Sequence, residues 1–372
     1  MSSASLDPKL ISGKRQLLSI QVARGFAALS VVAFHSLSGE PKYFSNISVL
    51  PRFFDGGMAG VDLFFVISGF VMVLTTRGRH ARAREVGKFV WNRLFRIYPT
   101  YWFYYLLLLP VFLIAPSWIN ASEGNQVDLF ASFFLLPSEL LPLLLVAWTL
   151  TIELWFYVVF ALILFLPERW LPVALGVWFV VLTIVNWNGP ISASPFVEVP
   201  ANAMAIEFIF GGVAALLFRR VNRIVAVVCA VVGIVVVVTL GQATPMDLTA
   251  GSGLLRPLTL GLGFALLMLA FTAWENRSGI GFLGRFTALG DMSYSLYLNH
   301  VLTFAVMGRL WAAFAGPLAT SIPAIITYWI ITFAVVLLVG YLSYRLVERP
   351  VMSLSRRWSA KVFRPREQTV DR

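Results

Sequence analysis

Ten stretches of mostly apolar residues, each about as long as a bilayer is thick, divide this 372-residue chain. A helix needs about 20 such residues to cross the hydrocarbon layer. The stretches cover residues 17–37, 58–76, 97–114, 143–166, 170–187, 201–218, 224–241, 257–274, 288–314 and 317–344. Residues 129–141 are also apolar, but that segment is short and closed by Pro137 and Pro142. It suits an interfacial or re-entrant piece rather than an eleventh span. The expected fold is an all-α polytopic integral membrane protein, a bundle of about ten transmembrane helices. Composition agrees, with 59% hydrophobic residues, 13% charged residues and a mean hydropathy of +0.81. So few polar side chains cannot clothe a water-soluble globule.

Lys and Arg total 29 against 18 acidic residues, a net charge of +11. The cations bunch in alternate connecting segments, the mark of cytoplasmic loops rather than of a nucleic-acid surface. Only Lys42, Arg52, Arg256 and Arg309 fall on the other side. Both termini are therefore expected in the cytoplasm. The expected organisation is a cytoplasmic tail over 1–16, one membrane domain over 17–345 and a basic cytoplasmic tail over 346–372, with no appended soluble domain. Arg24 interrupts the first apolar run and no small-residue cleavage site follows it, so it does not read as a cleavable signal. The lone Cys229 excludes a disulfide framework, and with only three scattered histidines no metal site is expected.

Ionisable residues within spans are costly, about 2.5–3.5 kcal/mol for a central Arg or Asp on insertion scales, so they usually face a polar interior. Here they are Arg24, His35, Asp62, Glu153, Glu207 and His300. Asp62 and Glu207 serve equally well as interhelical glue. His35 follows Arg24 by about 16 Å of helical rise, which places it in the outer half of the first span. Asp62 falls in the outer half of the second span and Glu153 near the middle of the fourth. An imidazole and a carboxylate at similar depth suit general-base chemistry, the carboxylate fixing the tautomer. A satisfied core histidine or a proton-relay member is the plainer reading of His35. Arg24 either neutralises a phosphate or snorkels to the interface.

Arg93 and Arg96 lie three apart beside the third span, so on a helix they share a face, and paired guanidiniums suit phosphate. Plain positive-inside topology explains Arg77, Arg79, Arg82 and Arg84. The Gly-x-Ser-x-Gly elbow, the P-loop and His-Glu-x-x-His are absent. Cys229 has no activating neighbour in sequence, so a covalent serine or cysteine mechanism is not expected.

These residues together resemble the membrane acyltransferase-3 family over nearly the whole chain. The opening Leu18-Ser19-Ile20-Gln21-Val22-Ala23-Arg24-Gly25 with His35 is similar to its signature of Arg and His separated by ten residues. Gly60-Val61-Asp62-Leu63-Phe64-Phe65-Val66-Ile67-Ser68-Gly69-Phe70 resembles its second-span motif, and Arg93-Leu94-Phe95-Arg96 its paired-arginine element. Trp148-Thr149-Leu150-Thr151-Ile152-Glu153, Glu207-Phe208-Ile209-Phe210-Gly211-Gly212, Ser293-Tyr294-Ser295-Leu296-Tyr297-Leu298-Asn299-His300 and Glu348-Arg349-Pro350 resemble later motifs, in order. The opening is most similar to exopolysaccharide O-acetyltransferases.

The resemblance implies a multi-pass enzyme of the bacterial inner membrane that takes acetyl-CoA, or another acyl-CoA, from the cytoplasm. It implies that His35 is the catalytic base or acyl relay and that Arg24, Arg93 and Arg96 assist the donor. The expected reaction is transfer to a sugar hydroxyl of an exopolysaccharide or lipid-linked oligosaccharide. His35 would be oriented by Glu153 or Asp62. Ser68, Tyr297 and Asn299 are candidate oxyanion donors, and Trp148 is a candidate sugar platform, though bilayer-belt packing suits most such aromatics. A transporter or flippase of a polysaccharide precursor, with its buried charges as a proton relay, is the rival reading. A noncatalytic subunit of an export complex is a third.

Overall fold

Each of the ten apolar stretches is helical over most of its length in the computed structural model, which describes residues 17–363 except 45–46, 120–123, 190, 192–193 and 241–252. No strand occurs among the described residues. In chain order the helices are α1 (Leu18–Leu37), α2 (Gly39–Tyr43), α3 (Ala59–Thr76), α4 (Ala83–Ile114), α5 (Leu129–Phe134), α6 (Trp148–Ile163), α7 (Leu171–Val185) and α8 (Pro195–Glu198). They continue as α9 (Ala205–Leu217), α10 (Arg223–Val235), α11 (Leu262–Ser278), α12 (Thr287–Asp291), α13 (Ser293–Phe314), α14 (Ile322–Ser343) and α15 (Arg349–Val362). Among the described residues, 8 helical segments are long and apolar enough to cross a membrane. The stretches at 201–218 and 288–314 fall outside that set. α9 has only 13 residues, and α13 mixes Asn299, His300 and Arg309 into its 22.

Two helices depart from the sequence reading. α4 has 32 residues, about 48 Å of rise, and begins at Ala83 rather than near 97. Its first half carries Arg93 and Arg96 beyond what a hydrocarbon layer needs. The stretch from 346, expected as a tail, is helical to Val362: α15 follows α14 through a π-turn (Tyr344–Glu348) and packs on α4. Trp91 Nε1 donates to Ser355 Oγ at 3.2 Å and Trp358 meets Phe95 edge to face. The expected tails at 1–16 and 364–372 lie outside the described residues.

Close approach of α3 and α9 builds the centre. A Cβ on Gly69 would lie 1.9 Å from the Phe208 carbonyl oxygen, and one on Gly211 would lie 1.9 Å from that of Val66. Glycine at both positions lets the two backbones touch, which is how helices pack where lipid removes the hydrophobic drive. α1 lies against α3, α12 and α13, so the first, second and ninth apolar stretches are neighbours.

The short apolar segment folds against α4, which serves several of its backbone carbonyls. Tyr98, Tyr101, Trp102 and Tyr105 fall on one face of α4. Their polar tips donate to the carbonyls of Phe134 (2.7 Å), Ser132 (2.5 Å), Phe133 (3.0 Å) and Leu129 (2.9 Å). Asp128 caps the start of α5, accepting from the Ala131 N–H at 2.9 Å, and the Ser132 hydroxyl accepts the Leu143 N–H at 2.9 Å. Six helical residues do not cross a bilayer, and non-helical backbone at membrane depth requires this kind of satisfaction from neighbouring protein.

Candidate active site

His35 ends α1, where its i−4 carbonyl is within reach. Its Nδ1 lies 3.0 Å from the Val31 oxygen and 3.3 Å from Nε2 of His300. The two rings meet at 4.9 Å between centroids, and Phe34 holds the His35 ring edgewise at 5.2 Å. His300 is fully buried, with Nδ1 3.3 Å from its own i−4 carbonyl on Leu296. The network selects one tautomer for both neutral rings. Each Nδ1–H points to its carbonyl, and His300 Nε2 receives a share of the His35 proton. That leaves Nε2 of half-buried His35 without a hydrogen bond to any described residue, its lone pair available to take a proton.

The carboxylate expected on the His35 ring is not there, and His300 takes that place. Asp62 is fully buried and clamped by Arg256, whose Nε and Nη2 donate to Oδ1 at 2.8 Å and Oδ2 at 2.6 Å. The reason is electrostatic: a buried carboxylate takes a guanidinium, with its matching fork, in preference to a neutral imidazole. Glu207 packs beside this pair, its side chain so close to Gly261 that a Cβ there would lie 2.7 Å from the Glu207 Cγ. Glu153 is also engaged elsewhere. Its Oε1 accepts from Ser68 Oγ at 2.7 Å and from Tyr157 OH at 2.5 Å.

The three arginines do converge. Arg24, Arg93 and Arg96 line one cavity of about 120 Å³ together with Glu153, Tyr157 and Ser68. Arg24 makes no hydrogen bond or ion pair with a described residue. Arg93 stands over the rings of Phe89 and Tyr157, 5.4 and 5.5 Å from their centroids. Arg96 is different. Its Nη1 lies 2.5 Å from Oε1 of Glu348, whose other oxygen accepts from Ser295 Oγ at 2.7 Å. Its Nη2 is buried with no hydrogen-bond partner among the described residues. Arg24, Arg93 and Val71 also line a second, larger cavity of about 1090 Å³ at the N-terminal end of α1. The two spaces therefore meet at a shared wall of Arg24, Val71 and Arg93, an arginine-rich vestibule beside a smaller polar cavity.

His35 is not among the residues lining either space. Phe64 and Tyr297, edge to face at 5.8 Å, line the smaller cavity on the side of the histidines, and the His300 ring lies 5.8 Å beyond that of Tyr297. The Tyr297 hydroxyl donates to the Val146 carbonyl at 3.0 Å and pairs with Thr149 Oγ1 at 2.8 Å. Of Ser68, Tyr297, Asn299 and Trp148, the cavity is lined by Ser68 and Tyr297. Asn299 donates to the Ser295 carbonyl at 2.9 Å, accepts from Thr303 Oγ1 at 3.1 Å and packs against Gly340 of α14. Trp148, half-buried at the start of α6, packs on the core away from the cavity. His300, Glu348, Tyr157 and Arg256 were not singled out as site residues from the sequence.

A family model described as an acyltransferase domain, that of acyltransferase-3, matches residues 17–345. The chain belongs to the acyltransferase-3 family. Among curated proteins, this acyltransferase is 30% identical over 318 residues to "Exopolysaccharide production protein ExoZ" of Rhizobium meliloti (strain 1021), covering 81% of this chain and 91% of that one. It is 26% identical to "Acyltransferase MdmB" of Streptomyces mycarofaciens, over 91% of this chain and 92% of the relative. "Nodulation protein 10" of Rhizobium leguminosarum bv. viciae is 23% identical, over 92% and 95%. No solved structure matches the chain. The protein is thus a polytopic membrane acyltransferase, and its vestibule, cavity and histidine pair form the candidate active site.

Proposed function

We propose that this acyltransferase moves an acetyl or related acyl group from acyl-CoA to a sugar hydroxyl of an exopolysaccharide or lipid-linked oligosaccharide. It would work in a bacterial inner membrane with the arginine-rich vestibule facing the cytoplasm. The observation carrying this reading is the alignment of the vestibule, the shared Arg24 and Arg93, the smaller cavity and its Phe64–Tyr297 wall, with the histidine pair next to Tyr297. The printed name of the Rhizobium meliloti relative, an exopolysaccharide production protein, supports a polysaccharide acceptor.

Arg24 and Arg93 lack a carboxylate partner among the described residues, so they suit the phosphates of coenzyme A. Arg96, already paired with Glu348, would flank the pantetheine arm. The acceptor would approach His35 from the opposite end of the bundle. As its oxygen attacks the thioester carbonyl carbon, His35 Nε2 takes the hydroxyl proton. The C–S bond breaks, and the imidazolium returns that proton to the departing thiolate. His300, through Nε2, would share the remaining Nδ1 proton of the imidazolium. For the thioester to reach His35, Tyr297 and Phe64 must turn aside. The hydrogen bonds holding the Tyr297 hydroxyl are each worth about 0.5–1.5 kcal/mol net, a small barrier to that motion.

The test is transfer in detergent. Purified protein given radiolabelled acetyl-CoA and an exopolysaccharide oligosaccharide should move label to the glycan. A transporter cannot do so without a sealed compartment. No transfer, together with no acetyl-CoA binding by calorimetry, would end the reading.

A further inference from the structure

The vestibule gathers cations from separate parts of the chain while its acids are turned to other tasks. Glu275 uses both carboxylate oxygens on the amino end of α1, accepting the Leu18 and Ser19 N–H groups at 2.8 Å each. Glu85 stands 3.9 Å from Arg79, and nearby Glu168 accepts the Gly78 N–H at 2.7 Å. On the cationic side, Arg77 comes from the turn after α3, Arg219 from the end of α9 and Arg356 from α15, and all three line the vestibule. Arg77 donates through Nη2 to the Ala215 carbonyl at 2.7 Å. Arg219 and Arg356 make no hydrogen bond or ion pair with a described residue. The Arg219 guanidinium lies 5.5 Å over the Phe218 ring, a contact that orients it without neutralising it. Burial lowers the Arg77 pKa below the usual guanidinium value and the Arg219 cation beside it lowers it further, while the Glu168 carboxylate offsets part of this. Topology explains why arginines lie in these loops. It does not explain why three segments bring theirs to one concavity with no carboxylate paired to them among the described residues.

The cations fall into two groups. Arg24 and Arg93 stand at the throat, lining both spaces, whereas Arg77, Arg219 and Arg356 line the vestibule alone. The vestibule, about 1090 Å³, is slightly larger than the roughly 300–1,000 Å³ typical of ligand pockets. A donor that carries phosphate at two separated places fits such a division, and coenzyme A does, with a diphosphate and a ribose 3′-phosphate. Resting on the acyl-CoA reading above, we propose that Arg77, Arg219 and Arg356 form a second anion subsite that takes the 3′-phosphate of the donor nucleotide. The throat arginines keep the diphosphate. The enzyme then selects its donor by a group remote from the thioester.

Comparing acetyl-CoA with acetyl-dephospho-CoA on the purified full chain tests this. For the unaltered protein, the KM for the dephospho donor should be about tenfold higher, the scale of one charge-assisted contact, with little change in kcat. The double variant Arg219→Ala/Arg356→Ala should raise the KM for acetyl-CoA to about that of the dephospho donor and leave the latter unchanged. Equal KM values in the unaltered protein overturn the subsite and leave the acyl-CoA reading intact. A variant that keeps the preference overturns the assignment of these arginines. Turnover of neither donor overturns the acyl-CoA reading itself.

Discussion

Replacing Glu348 by Gln removes the charge that holds Arg96 at the edge of the cavity. The Glu348 side chain is 1% exposed and that of Arg96 21%. Glu348 spends one oxygen on Arg96 Nη1 at 2.5 Å and the other on Ser295 Oγ at 2.7 Å, so it ties α4 and α13 to the turn before α15. Breaking a buried pair by removing one partner costs about 3–5 kcal/mol, because the remaining charge is left uncompensated. Arg96 opens partly into the cavity, so the lower figure of about 3 kcal/mol applies. At roughly 2 °C per kcal/mol for a large chain, the midpoint should fall by about 6 °C. The assay is thermal unfolding in detergent, followed by tryptophan fluorescence. The double variant Arg96→Met/Glu348→Gln removes both charges and should recover at least half of the loss. A Glu348→Gln protein that melts with the unaltered one would refute the reasoning. So would a double variant whose loss equals the sum of the two single losses.

Four further outcomes follow. His300→Ala leaves the His35 Nδ1 proton shared only with Val31, and kcat should fall about 100-fold, the low end of the roughly 10²–10⁴-fold scale of acid–base assistance, with the KM for acetyl-CoA unchanged; full activity would exclude the pair from the mechanism. Gly211→Ala forces a Cβ to within 1.9 Å of the Val66 carbonyl, so folded protein recovered by size-exclusion chromatography should drop severely; normal recovery would contradict the α3–α9 contact. Tyr297→Phe removes the hydroxyl latch on the wall, and acetyl-CoA hydrolysis without acceptor should rise several-fold; an unchanged hydrolysis rate would argue against a latch. Asp62→Asn leaves Arg256 without its bidentate carboxylate, and the melting midpoint should fall by about 6 °C on the same scale as Glu348→Gln, with the KM for acetyl-CoA unaltered.

The span pattern and the shared face of Arg93 and Arg96 were legible because hydropathy, charge and i,i+3 spacing are properties of a single stretch of chain, whereas only the family resemblance grouped Arg24 with them. That residues 129–141 do not form a full span was legible for the same reason, their length and flanking prolines being local. What depends on the register between helices was not. Measured from the assumed start of each apolar stretch, His300 sits several ångströms nearer the cytoplasmic side than His35, which hides the pair. In the structure Gly290 lies against Gln21, and Gly25 against Leu289, so α12 begins some way along α1. From Gly25 to His35 and from Gly290 to His300 the rise is then the same, about 15 Å. Asp62 was placed at the right end of its span, but nothing local says that Arg256, counted as a loop cation, swings inward to hold it. Glu348 was hidden in the same way. It lay in a stretch expected as a basic tail, and nothing local says that it folds back to pair with half-buried Arg96.

Label transfer by His35→Ala is the most direct measurement, made in detergent at matched protein level alongside acetyl-CoA binding by calorimetry. Because His35 lines neither cavity, donor affinity should stay within about twofold, about 0.4 kcal/mol, while transfer to the glycan disappears. Transfer that persists in this variant would contradict the assignment of His35 as the base.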